Sequence, residues 1–534
     1  MSLRLYNTMG RTMQEFKPIE PGKVGFYGCG PTVYNYAHIG NLRAYVFLDV
    51  LDKTLTFLGY KVNHVMNITD VGHLTGDADD GEDKMVKTAE ERHQSVLEVA
   101  KFYTEAFHKD IDALNIRRPD HECKATEHIA EMIELIKKLE ANGHTYMADG
   151  NLYFDISTYP DYGKLARLNL DELKAGAGRR AVSVIDENKR NPNDFVLWFT
   201  KSKFENQAMT WDSPWGRGYP GWHIECSAMS MKYLGKHFDI HTGGIDHIPV
   251  HHTNEIAQSE GSFDEAERAK GPWVNYWMHN EFLILEGGKM SKSKGHFITL
   301  LADLPPEKGF SLKDKGFAPL DYRFFLLGGH YRKQLVFSLE AMEGAKAGRA
   351  ALNEKIAKLI AEANAKKQWA EIPALGISEL SEENYKEVLT KCNDANILKR
   401  SDEAKNAVKL FTEALENDLN TPKALAALNG EIGNASKHSS VSVLANIWKM
   451  DEVLSLSLIG SAFEVLKKQA EEAEAQAAAL ANDPEAAEIA ALIQARADAK
   501  KNKDFAKADE IRNQLTSKGI ILKDTPQGTT WFRS

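Results

Sequence analysis

The chain has 534 residues, 43% of them hydrophobic and 27% charged, and carries a net charge of −10. At roughly 100–200 residues per domain, that length calls for about three to five domains of ordinary globular composition. The acidic balance argues against a general nucleic-acid coat, which is usually basic, while leaving room for a local basic face. In chain order, the opening Met1 to Tyr6 lacks the apolar core of a signal peptide. Lys23 to Gly28 reads as a short buried strand that ends at Cys29-Gly30-Pro31. A helix is predicted next from the spacing of Leu42, Tyr45, Val46, Leu48, Leu51, Leu55 and Leu58, closed by Gly59, and Val62 to Ile68 reads as a second strand. Strand, loop, helix and strand make one βαβ unit of a doubly wound, Rossmann-type parallel sheet.

Residues from about 125 to 218 read as an α/β insertion with a helix near Ile129 to Leu139 and a strand at Asn151 to Phe154. The sheet pattern resumes near Gly221 and runs to about Thr299, and beyond Tyr322 the pattern is helical. The alanine- and glutamate-rich stretch from Ala470 to Ala491 is either a solvated helix or a mobile linker. The expected plan is a catalytic domain in two halves, 1–124 and 219–300, split by the insertion 125–218. A linker (301–345), a helical bundle (346–460) and a further linker with a small C-terminal domain (461–534) follow. No stretch approaches the ~20 uninterrupted apolar residues of a membrane helix. A cytoplasmic protein without a membrane partner is expected.

Two motifs point to chemistry on phosphate. His38-Ile39-Gly40-Asn41 joins a strand's carboxyl end to a helix's amino end, where open α/β sheets bind ligands and free N–H groups meet anions. Alone this is a weak signal, and a plain strand–helix turn is the commoner reading. The second motif, Lys289-Met290-Ser291-Lys292-Ser293, is a glycine-flanked loop with three lysines in six positions counting Lys294. Such a loop can close over a triphosphate and neutralise charge that develops as pyrophosphate leaves. A basic surface loop is the bland alternative, and the pairing of the two motifs decides against it.

The four cysteines, Cys29, Cys123, Cys226 and Cys392, are too sparse for a disulfide scaffold and fit reduced thiols or metal ligands. Cys29 ends the first strand, Cys226 lies in Gly221-Trp222-His223-Ile224-Glu225-Cys226, and His251 and Glu255 are four apart, on one face of a helix. Two thiolates, an imidazole and a carboxylate make a plausible zinc set, although none of the usual paired-cysteine spacings is present. Cys123 and Cys392 read as structural. The acidic run from Asp77 to Asp83 misses the spacing of a calcium loop and reads as solvated.

On these motifs the sequence resembles the class I aminoacyl-tRNA synthetases, with one departure: Asn41 stands where the fourth residue of the first signature is usually His. Cys29, Cys226, His251 and Glu255 match, each inside its motif, the zinc ligands of cysteinyl-tRNA synthetases, and the similarity runs from Arg4 to Thr529. The resemblance implies an ATP-consuming ligase that activates L-cysteine to an adenylate and transfers it to cysteine tRNA, as a monomer, with one Zn2+ and with Mg2+ accompanying ATP. It implies catalytic roles for His38, Asn41, Lys289 and Lys292, nucleotide contact at Gly40, and substrate contact at Cys29, Thr69, Trp222, His223 and Asp246. His241, His247 and His252 receive no role. Residues 346–460 would touch the tRNA stem and the C-terminal domain its anticodon. Arg496, Lys500, Lys501, Lys503, Lys507 and Arg512 would meet phosphate, and Trp531 and Phe532 would either stack on bases or plug a small core. Rival readings are a ligase joining cysteine to an amino sugar, which should lack this C-terminus, and a non-catalytic relative, which should have lost Lys292, Cys29 or His251.

Overall fold

The computed structural model describes residues 2–72, 88–89, 95–168, 188–201, 209–286, 297–394, 397–398, 401–437, 439–481, 485–525 and 528–533. Two compact units divide the chain, Met1–Ile459 and Gly460–Ser534. In the first, the chain runs β1 (Lys23–Gly28), α1 (Ile39–Phe57), β2 (Lys61–Ile68), α2 (Val96–Ala113) and β3 (His121–Lys124). The insertion follows as α3 (Ile129–Ala141), β4 (Thr145–Ala148), β5 (Asn151–Phe154), β6 (Phe195–Phe199) and β7 (Tyr219–Pro220). The chain returns through α4 (Trp222–Leu234), β8 (Phe238–Gly244), α5 (His251–Gly261) and β9 (Val274–Asn280).

β9, β8, β1, β2 and β3 form one parallel sheet in that order, with Phe26 opposite His64 on one side and Ile240 on the other. β1 is central, and the chain leaves it toward β2 first and fills the β8 side only after the insertion. That reversal opens a crevice at the carboxyl ends of β1 and β8. The predicted helix begins at Ile39, inside the His-Ile-Gly-Asn motif, and Gly59 follows its end with φ +92°, a conformation that suits glycine. β4 to β7 form a separate antiparallel sheet. Because β7 belongs to it, the insertion's sheet extends past residue 218, and a helix rather than a strand opens the return to the main sheet.

Residues 301–345 are not a bare linker. The strand Gly309–Ser311 pairs with Phe297–Thr299, Leu335–Phe337 pairs with Leu283–Leu285, and α6 (Pro319–Leu327) lies between them. The helical region continues as α7 (Leu339–Ala365), α8 (Tyr385–Asn393), α9 (Asp402–Glu416), α10 (Thr421–Gly433) and α11 (Ser440–Leu454). Arg323 on α6 joins this region to the sheet domain. Its fully buried guanidinium donates to the carbonyls of Leu454 at 2.6 Å and Leu114 at 2.9 Å, and to the Asp49 carboxylate of α1 at 2.5 Å.

Cys123 is buried with its thiol 3.4 Å from the Met66 carbonyl, and Cys392 is buried on α8, so both read as structural. The stretch from Ala470 is helical as far as Ala481, within α12 (Leu458–Ala481). The second unit packs α13 (Ala486–Lys501) and α14 (Phe505–Ser517) on the hairpin of β10 (Ile520–Thr525) and β11 (Gly528–Arg533). Its core joins Ile489, Ile511, Leu515, Ile520 and Trp531. Among the described residues, no helix is long and apolar enough to cross a membrane.

Candidate active site and metal centre

A cavity of about 540 Å³ occupies the crevice, walled at one end by Cys29, Thr69, Trp222, Cys226, Asp246 and His251 and at the other by His38, Gly40 and Asn41. The fold places Cys29 there because it is the first residue past β1, while Gly30 packs so closely on β2 that a Cβ would stand 1.7 Å from the Asn67 carbonyl oxygen. Only glycine permits that approach. Cys226 projects from α4, and His251 and Glu255 from successive turns of α5.

The ligand atoms of Cys29, Cys226, His251 and Glu255 all lie within 4.8 Å of one another. A tetrahedral zinc site with ordinary bond lengths separates its ligand atoms by about 3.3–3.8 Å, so these four need only small adjustments to fit. Glu255 Oε1 is buried and faces His251 Nε2 at 2.8 Å as an ion pair, and among the described residues it has no well-aligned hydrogen bond. Two ligand-type atoms crowded face to face are what a site built around a cation presents. Behind them, His223 Nδ1 is 2.9 Å from His251 Nδ1, which leaves Nε2 turned to the cluster, and His241 Nε2 holds the other Glu255 oxygen at 2.8 Å. Such outer contacts orient metal ligands.

The electrostatics agree. Burial disfavours charge on His251, but the Glu255 carboxylate and Cys226 outweigh it and raise the imidazole to about 10. Burial likewise opposes ionisation of Glu255, yet His251 and His241 hold it at about 2. A hydrogen bond from Cys29 brings the Cys226 thiol down to about 7 against the effect of burial, and pushes Cys29 itself upward. The cluster favours two anions around one positive charge. Cys29, His241, His252 and Glu255 form an overlapping set of similar spacing, but His241 and His252 do not reach the cavity wall, whereas Cys226 and His251 do.

The remaining predicted residues divide. Thr69 is buried on the cavity wall and donates its hydroxyl to Glu225 at 3.0 Å while accepting from Asn67 at 3.0 Å. One lone pair of Thr69 is left to accept from a ligand. Trp222 is a wall residue, half-buried, with its ring centroid 4.3 Å from that of His251, and so is not plain core. Asp246 also lines the cavity. His223 does not: it is buried behind His251 and orients it. Glu225 and His241 carried no distinguishing signal in the sequence, since their importance comes from what they touch.

At the other end, His38 caps α1. Its Nδ1 accepts the Asn41 N–H at 3.0 Å, and the Asn41 side-chain oxygen accepts the His38 N–H at 3.2 Å. Asn41 thus completes a reciprocal capping box. Because Nδ1 accepts, the neutral His38 ring carries its proton on Nε2. Lys289 and Lys292 lie outside the described residues, as does the acidic run from Asp77 to Asp83.

Residues 15–347 match the catalytic domain of the class I (C) tRNA synthetases, and residues 483–531 match the cysteinyl-tRNA ligase anticodon binding domain. The cysteine–tRNA ligase of Treponema denticola is 56% identical over 533 residues, 99% of both chains. The chain belongs to the cysteine–tRNA ligase family. Within that family, the cysteine–tRNA ligases of Treponema pallidum and Borreliella burgdorferi are each 44% identical, over 100% and 99% of this chain and the same shares of their own. Membership makes the chain an ATP-dependent ligase. Solved structures share the fold at low identity. A Mycobacterium tuberculosis methionyl-tRNA synthetase bound by methionyl-adenylate has a TM-score of 0.51 and 15% identity, covering 83% of this chain and 92% of that one. A leucyl-tRNA synthetase of Agrobacterium radiobacter in a tRNA complex has a TM-score of 0.52 and 12% identity, covering 84% and 85%.

Proposed function

We propose that the chain activates L-cysteine with ATP in the cavity and then transfers the cysteinyl group to the 3′ end of cysteine tRNA, in the cytoplasm. The observation that carries this reading is that Cys29, Cys226 and His251 of the cluster they form with Glu255 line the same cavity as the α1 amino terminus. Those four residues would hold a zinc ion, whose softness supplies affinity for a thiolate that a hydroxyl cannot match. Sterics alone separates such near-isosteres only ~10- to 200-fold. Thr69, backed by Glu225, accepts the substrate ammonium, and Asp246 contacts the amino group or the ribose. The cysteine carboxylate then attacks the α-phosphate, forming the acyl–phosphate bond and expelling pyrophosphate. His38 Nε2–H and the N–H groups of α1 face the phosphates, and Lys289 and Lys292 neutralise the leaving group. In the second step a terminal tRNA hydroxyl takes the acyl group and AMP leaves. No side chain acts as a nucleophile.

The decisive experiment is metal analysis alongside ATP–pyrophosphate exchange and tRNA charging, with serine as control. One zinc per chain, exchange with cysteine alone and its transfer to cysteine tRNA are expected. Exchange that keeps its cysteine preference after complete zinc removal would overturn the reading.

On the RNA side, support falls on only part of the expected set. Trp531 is 7% exposed within the core of the second unit, and Arg496 is spent on Asp524 through contacts of 2.8 and 3.0 Å, with Lys500 2.8 Å from the same carboxylate. Lys501, Lys503, Lys507 and Arg512 remain exposed, and among them Phe505 is 63% exposed at the start of α14. An exposed ring set among cations suits stacking on an unpaired base. Phe505→Ala should weaken tRNA binding by about 1–3 kcal/mol, the usual range for one stacked base. It should raise the KM for tRNA while leaving pyrophosphate exchange intact. An unchanged tRNA KM would remove Phe505 from the interface.

A further inference from the structure

Arg43 lies on α1 two residues past the His-Ile-Gly-Asn motif and is only 4% exposed. Its guanidinium bonds to main-chain carbonyls: Nη1 donates to Phe282, and Nη2 donates to Lys333 and lies 3.5 Å from the carbonyl oxygens of His330 and Tyr331. Among the described residues no carboxylate hydrogen-bonds to it. Burying this cation is costly: desolvation lowers its pKa, and the nearby Tyr322 and Glu281 offset that only in part. Filling the space would need only an apolar side chain. What an arginine adds is a planar fork that reaches several acceptors at once.

The carbonyls it gathers belong to two segments already joined to each other. Glu281 N donates to the Tyr331 carbonyl at 2.8 Å, Leu335 N donates to the Phe282 carbonyl at 3.2 Å, and the paired strands Leu283–Leu285 and Leu335–Phe337 continue from there. Asn280, Glu281, Phe282 and Leu283 line one side of the cavity, and Gly40, Asn41 and Ala44 of α1 line another. Arg43 is not a lining residue and binds from behind. A second tie comes from Tyr322 on α6, whose hydroxyl donates to the Ile39 carbonyl at 2.6 Å.

We infer that Arg43 is a positioning residue for adenylate formation, fixing the Asn280–Leu283 wall against the first turns of α1 and so setting the width of the nucleotide end of the cavity. The inference rests on the proposed placement of ATP between those surfaces. It predicts an effect on ATP handling that spares the cysteine end, because Arg43 touches none of Cys29, Thr69, Cys226 or His251. A displacement of about 1 Å at a reacting centre is enough for losses near 10²-fold.

The test is cysteine-dependent pyrophosphate exchange by zinc-loaded full-length protein, normalised to active sites. Arg43→Lys keeps the charge and the stem but gives up the fork, and Arg43→Gln is made in parallel so that a folded variant is in hand. The expected result is a rise in the KM for ATP or a fall in kcat of tenfold or more, with the KM for cysteine within twofold. Tyr322→Phe should move the same quantity in the same direction by less. If the folded Arg43 variants show ATP and cysteine constants within twofold of the parent, or if both KM values rise together, the inference is overturned and Arg43 serves stability alone. A parent protein that shows no cysteine-dependent exchange would instead defeat the functional reading beneath it.

Discussion

Cys226→Ser is expected to release the metal and to lower cysteine-dependent pyrophosphate exchange by at least about 100-fold, the upper end of the loss when only an outer contact to a metal ligand is removed. The physical reason lies in the protonation state. The Cys226 thiol is brought to about 7 by its contact with Cys29, so a thiolate is available near neutral pH, whereas a serine hydroxyl stays protonated and hard. With that anion gone, the cluster loses its soft donor and one of its two negative charges, leaving His251 and Glu255 as the nearest remaining pair at 2.8 Å. Zinc content and exchange should fall together. Cys123→Ser, altering a buried thiol 3.4 Å from a carbonyl and outside the cluster, should leave zinc bound. A Cys226→Ser protein with one zinc per chain and undiminished exchange would refute the assignment of the ligands.

Arg323→Met should cost about 3–5 kcal/mol of stability, the range for breaking one side of a buried ion pair. Arg323 and Asp49 are both fully buried side chains, and their separation is 2.5 Å. Methionine fills much of the volume but leaves the Leu454 and Leu114 carbonyls without their donor. Asp49 keeps Lys53 at 2.8 Å and the Arg117 N–H at 2.8 Å, which holds the loss within that range instead of above it. Because Arg323 joins α1, the residue after α2 and the end of α11, the loss should appear as a lower urea midpoint for the whole first unit. A midpoint shift worth less than about 1 kcal/mol would mean that the contact is replaceable by packing.

The parts of the fold legible in the sequence are those written in local pattern. β1 and β2 follow from short apolar runs, α1 from helical spacing ended by Gly59, and His251 and Glu255 share a helix face because four residues nearly complete a turn. Tertiary contact is not legible in the same way. The two-residue strand β7 exists only because it pairs with β6, and the short strands at Leu283–Leu285 and Leu335–Phe337 exist because they pair with each other. Segments of two or three residues carry no period to detect. Trp531 illustrates the same limit from the other side: a terminal aromatic suits both base stacking and a small core, and only its neighbours Ile489, Ile511 and Leu515 decide for the core.

The sequence by itself determined the family, the α/β class and the identities of the four candidate ligands, because each is carried by residue types in a fixed local order. The tertiary structure decided which side chains stand behind them. It put His223 at the back of His251 and His241 on the second oxygen of Glu255, backed Thr69 with Glu225, turned Asn41 into a cap for His38, and drew Arg43 away from the cavity onto the carbonyls of a segment more than 200 residues distant. Those relations depend on distances between elements, and such distances are set by how buried surfaces pack, which no single stretch of chain contains.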